Sequence, residues 1–550
     1  MGLYLNAGHA SFREALDSEI YVDKTEMIMY LNRCVGTNQK YICVSRPRRF
    51  GKSVTAGMLC AYYGSEVDSR SLFENTRLAD QEPVKLRTRV IRWDSYLNAF
   101  EVVRIVITDF IDAERNIEAS VDLLNKEVCD ELMEYYPEVN YGERIDLYSV
   151  MSRIYDKYKK QFVIIIDEWD ALFREFPESD DGQRKYLNLL REWLKDREYV
   201  ALAYITGILP IKKYGVHSAL NMFDEFSMIA PLQLAKYTGF TDEEVRELCR
   251  QYGREYDQIK EWYDGYEVLD VISSDTVNTD RTKRYHLYCP LSVQKAVQTG
   301  HLMNYWNRTE TYEALADYIR YDFDGLRETV AILMSGGRVS VNTRSYQNDM
   351  ASYNNKDDVL TMLIHLGYLG YCQESGEAYI PNKEIKDEFS SATEGTEWRP
   401  YFKTLEDSYS LLEATWKCDA DRVAMYLERA HDKVSNRTYN SEAALSYAIR
   451  LAYYSALKFY TEIPEMDSGR GYADIVYLPS PKYRDKPVLL VELKYEKSAR
   501  TAMDQIKDRN YPDRLEHYRG NIIMVGINYD KSLSSEKPGY KHHDCIIERA

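Results

Sequence analysis

Residues 41–53 read Tyr-Ile-Cys-Val-Ser-Arg-Pro-Arg-Arg-Phe-Gly-Lys-Ser, and this stretch decides how the first half of the chain folds. Its first five residues form a short apolar run typical of a buried strand, and residues 54–63 have the spacing of a helix. A glycine-lysine-serine turn between a strand and a helix is typical of a phosphate-binding loop. The stretch therefore predicts a sheet with a phosphate-binding site at its edge.

The residues of this turn provide the chemistry that a bound polyphosphate needs. Gly51 lets backbone N–H groups approach phosphate, Lys52 reaches the β and γ oxygens, and Ser53 supplies a hydroxyl to Mg²⁺. Val54 lies in the first turn of the helix, whose positive end points at the anion, and it completes the predicted cofactor-binding set. Arg46 stands where the general pattern has its first glycine, so a strict pattern match fails.

A second apolar run, residues 162–166, ends in the carboxylates Asp167 and Glu168. A buried strand that ends in an acid is the expected partner of a phosphate-binding loop. Asp167 is predicted to hold the Mg²⁺ shell, and Glu168 to polarise the attacking water. In this chain order the two motifs can lie on neighbouring strands. The plainer alternative is a core strand that runs out into a charged surface turn.

A third apolar run, residues 200–205, is followed by Thr206 and a glycine. A polar residue at this place commonly senses the γ-phosphate in AAA-type enzymes, and Thr206 fits that role. A threonine that caps the next helix is the alternative interpretation.

Five motifs in chain order resemble a bacterial and archaeal family of predicted AAA-ATPase-like proteins. The resemblance covers roughly residues 10 to 290 and implies ATP as the nucleotide. It also makes the arginine-rich loop a family trait, with Arg46, Arg48 or Arg49 near the phosphates. The motifs are residues 21–25 (Tyr-Val-Asp-Lys-Thr), 46–53, 166–170 (Ile-Asp-Glu-Trp-Asp), 206–209 (Thr-Gly-Ile-Leu) and 262–266 (Trp-Tyr-Asp-Gly-Tyr).

Near the other end of the chain, two apolar runs carry a second set of charged residues. Asp474 begins one predicted strand, and Glu492 and Lys494 lie two residues apart on the next. Two carboxylates that converge across a hairpin bind a divalent cation, and a lysine on the same face orients water or the scissile phosphate. We therefore assign catalytic roles to these three residues, with Mg²⁺ or Mn²⁺ as the metal.

Other side chains could complete this cluster. Glu442 on the preceding helix is a predicted metal ligand with Asp474 and Glu492, Gln505 lies on the following helix, and Glu465 is a competing carboxylate. The arrangement over residues 435–530 resembles the PD-(D/E)XK nuclease superfamily. A salt-bridged pair on an ordinary surface strand is the alternative.

The pattern of elements predicts an α/β protein with three domains. Residues 1–235 are predicted to form a domain built on a parallel sheet, which the first resemblance implies is an AAA-type P-loop ATPase domain. Residues 236–398 are predicted to form a mainly helical lid with a winged-helix-like unit, and the second resemblance implies that residues 399–550 form an α/β restriction-endonuclease-like domain.

Composition narrows the function classes further. A net charge of −17 argues against a chain that coats nucleic acid along its whole surface, so contact with DNA or RNA would be local to the C-terminal domain. No apolar run approaches the ~20 residues that span a bilayer, and no secretory signal is recognisable, which predicts a cytoplasmic protein without a membrane partner. The nine cysteines form no CxxC pair. The sequence is compatible with an oligomer.

Two functional hypotheses follow from these motifs. In the first, an ATPase, which hydrolyses ATP to ADP and phosphate, is coupled to a metal-dependent nuclease that acts on DNA or RNA, in defence against mobile elements. In the second, an ATP-switched sensor or scaffold uses its nuclease-like domain to bind a partner or nucleic acid without cleaving it. A kinase would also use the loop, but no acceptor-binding motif is recognisable.

Overall fold

The chain forms two compact units in a computed structural model. The first unit comprises Met1–Asp324 and Ser340–Phe389, and the second comprises Gly325–Val339 and Ser390–Ala550. The predicted three-domain division at residues 235 and 398 stays a prediction. The structure describes residues 2–111, 116–211, 220–272, 281–306, 325–334, 336–346, 353, 355–393, 399–432, 445–446, 449–450, 452–467, 472–508, 521–530, 532 and 542–549.

The strands of the described residues are numbered in chain order: β1 (Tyr41–Ser45), β2 (Val84–Lys85), β3 (Val90–Ile91), β4 (Glu101–Val106), β5 (Phe162–Asp167), β6 (Val200–Gly207), β7 (Asp224–Phe226), β8 (Phe240–Thr241), β9 (Tyr266–Ile272), β10 (Arg281–Tyr288), β11 (Val339–Ser340), β12 (Gly370–Cys372), β13 (Glu377–Tyr379), β14 (Tyr460–Asp467), β15 (Tyr472–Pro479), β16 (Val488–Tyr495), β17 (Ile522–Tyr529) and β18 (His543–Arg549).

The helices of the described residues are α1 (Ala10–Leu16), α2 (Met27–Cys34), α3 (Lys52–Tyr63), α4 (Arg70–Phe73), α5 (Ile117–Tyr135), α6 (Leu147–Tyr158), α7 (Ala171–Glu175), α8 (Asp180–Leu194), α9 (Asp242–Tyr252), α10 (Tyr256–Tyr263), α11 (Pro290–Thr299), α12 (Leu326–Met334), α13 (Lys356–Leu366), α14 (Lys383–Thr393), α15 (Arg399–Trp416), α16 (Ala420–Asp432) and α17 (Ala499–Asp508).

The first unit is built on a five-stranded parallel sheet in the order β4-β5-β6-β1-β7. Successive residues of its central strands enter two different cores, so that Ile164 and Ile166 pack on one face while Val163 and Ile165 pack on the other. A strand buried on both faces reads as a continuous apolar run. The predicted parallel sheet is therefore confirmed. The strands that precede the two motifs, β1 and β5, are not neighbours, because β6 lies between them and pairs with both.

The rest of the first unit contains more β-structure than its sequence indicated. Strands β8, β10 and β9 form an antiparallel sheet in that order, within a region that was predicted to be mainly helical. Residues 266–272 alternate apolar and acidic side chains over only part of their length, which weakens the strand signal. The predicted helix and hairpin are present as α13 followed by β12 and β13.

The second unit holds a five-stranded mixed sheet in the order β14-β15-β16-β17-β18. Only the β16–β17 pair is parallel, and the other three pairs are antiparallel. Leu489 and Val491 of β16 pack in the core with α15 and α16, whereas Val488 and Leu490 pack with α17. The predicted α/β fold is confirmed, and β14 and β18 extend the sheet beyond the strands that the sequence indicated.

In the described part of the chain, every helix is too short or too polar to cross a bilayer.

Candidate functional site

The loop between β1 and α3 has the backbone that phosphate binding requires. Gly51 precedes the first residue of α3 and has a φ of 85°, and Arg49 has a φ of 68°. No atom lies within 4 Å of the position where a Cβ of residue 51 would be. Gly51, Lys52 and Ser53 line a cavity, so the start of α3 is open to an anion, and the helix adds its positive end.

Lys52 is buried beneath this loop. It is 8% exposed, and its Nζ donates to the carbonyl oxygens of Arg46 at 3.1 Å and Pro47 at 2.8 Å. Burial lowers the pKa of Lys52 to about 8, although the carboxylates Asp170 and Asp167 oppose the shift. A lysine this strongly desolvated gains a great deal from a nearby polyanion.

Asp167 faces the loop from the carboxyl end of β5. Asp167 is 2% exposed. Burial raises its pKa, while the nearby Ser53 hydroxyl and the charge of Lys52 act in the opposite direction. The loop and the acid therefore meet at one sheet edge, even though β6 lies between their strands, because the carboxyl ends of parallel strands lie side by side.

Glu168 points into the same region from a strained backbone. It has a φ of 49°, which is uncommon outside glycine, and its side chain is 40% exposed. Its Oε2 accepts a hydrogen bond from Nη2 of Arg174 at 3.1 Å. Arg174, on α7, also donates from Nε to Oδ2 of Asp170 at 3.2 Å. Sequence reasoning missed Arg174; its position four residues after Asp170 at a helix start was the available signal.

Asp170 joins the ends of β5 and β6. Its Oδ2 accepts the backbone N–H groups of Ile208 at 3.1 Å and Leu209 at 2.9 Å, and the residue is fully buried. A Cβ on Gly207 would lie 2.3 Å from Oδ1 of Asp170. The Asp170 carboxylate links the ends of β5 and β6, and only a residue without a side chain at position 207 leaves room for it. This explains why the motifs at residues 166–170 and 206–209 occur together.

Thr206 is fully buried, and its hydroxyl donates to the carbonyl of Val44 on β1 at 2.9 Å. The hydroxyl thus ties the ends of β6 and β1 together. A role as γ-phosphate sensor stays a prediction, and this hydrogen bond would have to break before the hydroxyl could donate to a phosphate.

The three arginines of the loop have different environments. Arg46 is fully buried, and its Nη1 donates to the carbonyls of Ser45 at 2.9 Å and Phe226 at 2.8 Å. It therefore links the ends of β1 and β7, and its place near the phosphates stays a prediction. Arg48 and Arg49 are half-buried and line the cavity described next.

A cavity of about 850 Å³ opens beside the loop. Residues of the phosphate-binding loop line it together with Val54 and Glu168. Residues of other elements, whose place in a cavity the sequence did not predict, also line it, and they include Ile20, Tyr21, Val22, Phe240, Pro290, Leu291 and Gln294. A cavity with both charged and apolar walls suits a ligand with a polyphosphate and a base.

In the second unit, Glu492 and Lys494 lie on the face of β16 that packs against α17. Both are buried, and Nζ of Lys494 lies 3.2 Å from Oε1 of Glu492. Nε2 of Gln505 on α17 also donates to this oxygen. The period of two along a strand places the pair on one face, as the sequence predicted, and Gln505 joins them.

Asp474 lies on β15, beside the ladder in which Ile475 pairs with Val491. Its Oδ2 accepts the backbone N–H of Leu493 at 2.7 Å, which brings the carboxylate to the strand that carries Glu492. Glu442 lies outside the described residues, so its predicted place among the ligands is not described. Within the residues that are described, no three His, Cys, Asp or Glu side chains converge as a metal site.

Asn528 is a buried polar residue near this pair that the sequence did not identify. It lies opposite Lys494 on β17, and its amide brackets the backbone N–H and carbonyl of Lys497 at 3.0 and 3.2 Å. It thereby fixes the chain as it leaves β16. A lone asparagine in an apolar strand offered no recognisable motif.

The side chains at both sites fit a hard divalent cation by their chemistry. Ser53 and Asp167 offer a hydroxyl and a carboxylate oxygen next to the phosphate-binding loop, and Mg²⁺ prefers such oxygen ligands together with those of a bound phosphate. Asp474 and Glu492 offer two carboxylates from adjacent strands.

Comparisons with known proteins agree with this geometry. Residues 7–217 match the family described as predicted AAA-ATPase, and residues 445–535 match the PD-(D/E)XK nuclease superfamily. The chain therefore combines a predicted AAA-ATPase-like domain with a nuclease-superfamily domain. It is also similar to an uncharacterized protein in the vnfD 5′ region of Azotobacter chroococcum mcd 1, with 25% identity over 555 residues that cover 96% of each chain.

Proposed function

We propose that the N-terminal domain binds ATP with Mg²⁺ and hydrolyses it to ADP and phosphate. One observation carries the proposal: Lys52, Ser53 and Glu168 line one cavity of about 850 Å³, and Lys52 lies close enough to Asp167 for the charge of each to shift the pKa of the other. A lysine, a hydroxyl and acids brought together in this way form the set that phosphoryl transfer uses.

Each residue of the set has a defined task in this proposal. The backbone N–H groups after Gly51 and the ammonium of Lys52 bind the β and γ phosphates. Ser53 and Asp167 would hold Mg²⁺, which, when bound, neutralises charge on the phosphate oxygens. Glu168 orients the attacking water and accepts its proton.

The test of this function is ATP turnover by the full chain in the presence of Mg²⁺, with and without DNA or RNA. Lys52→Ala should lower turnover by about 100-fold or more, the scale seen when a preorganised donor is removed. Lys126→Ala is the matched control, because Lys126 lies on α5 with its side chain 68% exposed. Equal turnover in wild type and Lys52→Ala would refute the proposal.

We propose that the C-terminal domain cleaves DNA or RNA in a metal-dependent reaction. The supporting observation is that Glu492, Lys494 and Gln505 meet on one face of the sheet while Asp474 contacts the same strand. Lys494 would orient the attacking water or the scissile phosphate. Asp474 and Glu492 would hold Mg²⁺ or Mn²⁺, which acts as a Lewis acid toward the phosphate. A role in defence against mobile elements stays a hypothesis.

The test is cleavage of DNA and RNA substrates with Mg²⁺ and with Mn²⁺, in wild type and Glu492→Gln. Glu413→Gln on α15, where the side chain is 45% exposed, is the control. Loss of cleavage in Glu492→Gln alone supports a nuclease. Intact substrates with wild type and both metals would refute it.

One feature of the second unit favours an ATP-switched binder instead. Asp474 accepts a backbone N–H, and Lys494 donates to the Leu493 carbonyl at 2.9 Å, so both side chains already have partners within the sheet. A binder would change its assembly or its affinity for nucleic acid when ATP is added. That response should survive Glu492→Ala and disappear in Lys52→Ala.

A further inference from the structure

Arg174 occupies an unusual place beside the nucleotide site, because it contacts two carboxylates with two different nitrogens. Its Nε lies 3.2 Å from Oδ2 of Asp170, and its Nη2 lies 3.1 Å from Oε2 of Glu168. Its side chain is 8% exposed. Burial alone would lower its pKa, but the charges of Asp170 and Glu168 outweigh burial and raise the pKa. The guanidinium is therefore a fixed cation.

The Asp170 end of this contact is rigid. Asp170 is fully buried, and the oxygen that meets Arg174 also accepts the backbone N–H groups of Ile208 and Leu209. These donors belong to the chain that leaves β6, so the anchor moves only if the end of the central sheet moves. The contact with Asp170 thereby ties the guanidinium to the end of the central sheet.

The Glu168 end, in contrast, faces the cavity. Glu168 lines the cavity wall with Lys52 and Ser53, and its side chain is 40% exposed. Its left-handed backbone, with φ of 49°, is one that residues other than glycine adopt only when their surroundings impose it. The buried Arg174 side chain donates a hydrogen bond to the Glu168 carboxylate.

We propose that Arg174 is a positioning residue for ATP hydrolysis, which holds the Glu168 carboxylate in the orientation that receives a proton from the attacking water. The inference rests on the ATPase function proposed above. A planar guanidinium donates from separate nitrogens in fixed directions. While its Nε contacts the rigid Asp170, its Nη2 can therefore hold the Glu168 carboxylate toward the attacking water. A misplacement of about 1 Å at a reacting group costs roughly 100-fold in rate.

The experiment measures kcat and KM for ATP in wild type, Arg174→Ala, Glu168→Gln and the double variant. Arg174→Ala should lower kcat by about 10- to 100-fold with KM within about twofold, because Arg174 acts through Glu168 and lies outside the residues that bind phosphate. In the Glu168→Gln background the same change should have no further effect. Guanidinium ions at millimolar concentration should restore part of the activity of Arg174→Ala and none of that of Glu168→Gln.

Arg184→Ala on α8, with its side chain 67% exposed, is the matched control and should behave like wild type. Should Arg174→Ala lower the melting temperature, Arg174→Gln serves as the second variant; its amide fills similar space, and it should show the same loss of kcat. The inference is overturned by an unchanged or increased kcat, by an effect on KM alone, or by equal losses in both backgrounds. Absence of turnover in wild type would instead refute the proposed ATPase, whereas full turnover in Glu168→Gln would refute the role assigned to Glu168 and this inference with it.

Discussion

The two sites of this chain both combine a lysine with acidic groups, but they assemble them differently. Lys52 and Asp167 belong to different elements, and they meet because β1, β6 and β5 end at one edge of a parallel sheet. Glu492 and Lys494 lie two residues apart on one strand, and the period of the strand alone places them on one face. The first arrangement depends on the topology of a whole sheet, whereas the second is local.

This difference decides how much each pairing says about function. A local acid-lysine pair on a strand is common among structural salt bridges, so its presence is weak evidence of catalysis. Convergence of residues distant in sequence on one cavity is much less frequent by chance. The proposed ATP site is accordingly the better supported of the two.

The largest expected effect, and the strongest test of the comparison between the two sites, is the loss of one activity in each lysine variant. Lys52→Ala should reduce ATP turnover by about 100-fold, and Lys494→Ala should reduce nucleic-acid cleavage by a similar factor, because each lysine serves one phosphate chemistry. Both variants are assayed for both reactions. Full ATP turnover is expected in Lys494→Ala.

Cleavage by Lys52→Ala then reports on coupling. If ATP controls the nuclease, this variant loses cleavage as well as turnover. Loss of ATP turnover in Lys494→Ala would contradict the separation of the two sites.

A smaller effect is expected from a substitution at the end of β6, which should disturb the site that depends on the sheet topology and leave the site on β16 unchanged. Gly207→Ala places a Cβ 2.3 Å from Oδ1 of Asp170 and 2.7 Å from the Trp169 ring, so the Asp170 link at the end of β6 must shift. Overpacking of this kind costs about 1–3 kcal/mol. We expect a melting temperature lower by about 5 °C and reduced ATP turnover, with cleavage by the second unit retained.

Gly57→Ala is the control for this variant. Its Cβ would meet Oγ of Ser11 at 2.8 Å, but that hydroxyl can rotate, and alanine favours the helix at this position. A similar loss of stability in both variants would show that the Asp170 link has no special role.

Much of the ATP site was predictable from residues whose chemistry is tied to a motif. The strand, turn and helix around Gly51 and the acid-ended strand at Asp167 both form where the sequence indicated. The strand order was not predictable, since apolar runs do not specify which strands pair. Nor was the burial of Arg46, because an arginine in a phosphate-binding loop suggests a phosphate contact, and only the position of Phe226 on β7 reveals its alternative partner.

In the C-terminal domain the sequence predicted the side chains of the site but not the full extent of the sheet. The face shared by Glu492 and Lys494 followed directly from strand periodicity, and Gln505 was placed correctly from its helix. The edge strands β14 and β18 were missed, because residues 460–467 include a proline and alternating charges, and residues 543–549 alternate polar and apolar side chains only in part. Edge strands carry weak apolar signals since one side of each lacks a neighbour.

The smallest expected effect concerns a buried carboxylate that neither proposed reaction uses. Glu384 accepts hydrogen bonds from Ser292 and from the backbone N–H groups of Tyr305 and Trp306. Burial raises the pKa of Glu384 from 4.5 to about 7, so its ionisation costs stability as the pH rises from about 4.5 through 7. Between pH 6 and pH 8, wild type should lose about 1 kcal/mol more than Glu384→Gln.

The measurement is the melting temperature of wild type and Glu384→Gln across this pH range. The exposed Glu243→Gln on α9 serves as the control. Parallel curves for wild type and Glu384→Gln would contradict the raised pKa. A steeper fall for wild type, of a few degrees, would confirm it.

The most direct test of the central claim is a crystal structure of the full chain with Mg²⁺ and a non-hydrolysable ATP analogue. The account predicts the β and γ phosphates on the N–H groups after Gly51, with Lys52 on their oxygens and the metal between Ser53 and Asp167. A nucleotide bound elsewhere, or a bound triphosphate that touches neither Lys52 nor a metal held by Asp167, would contradict it.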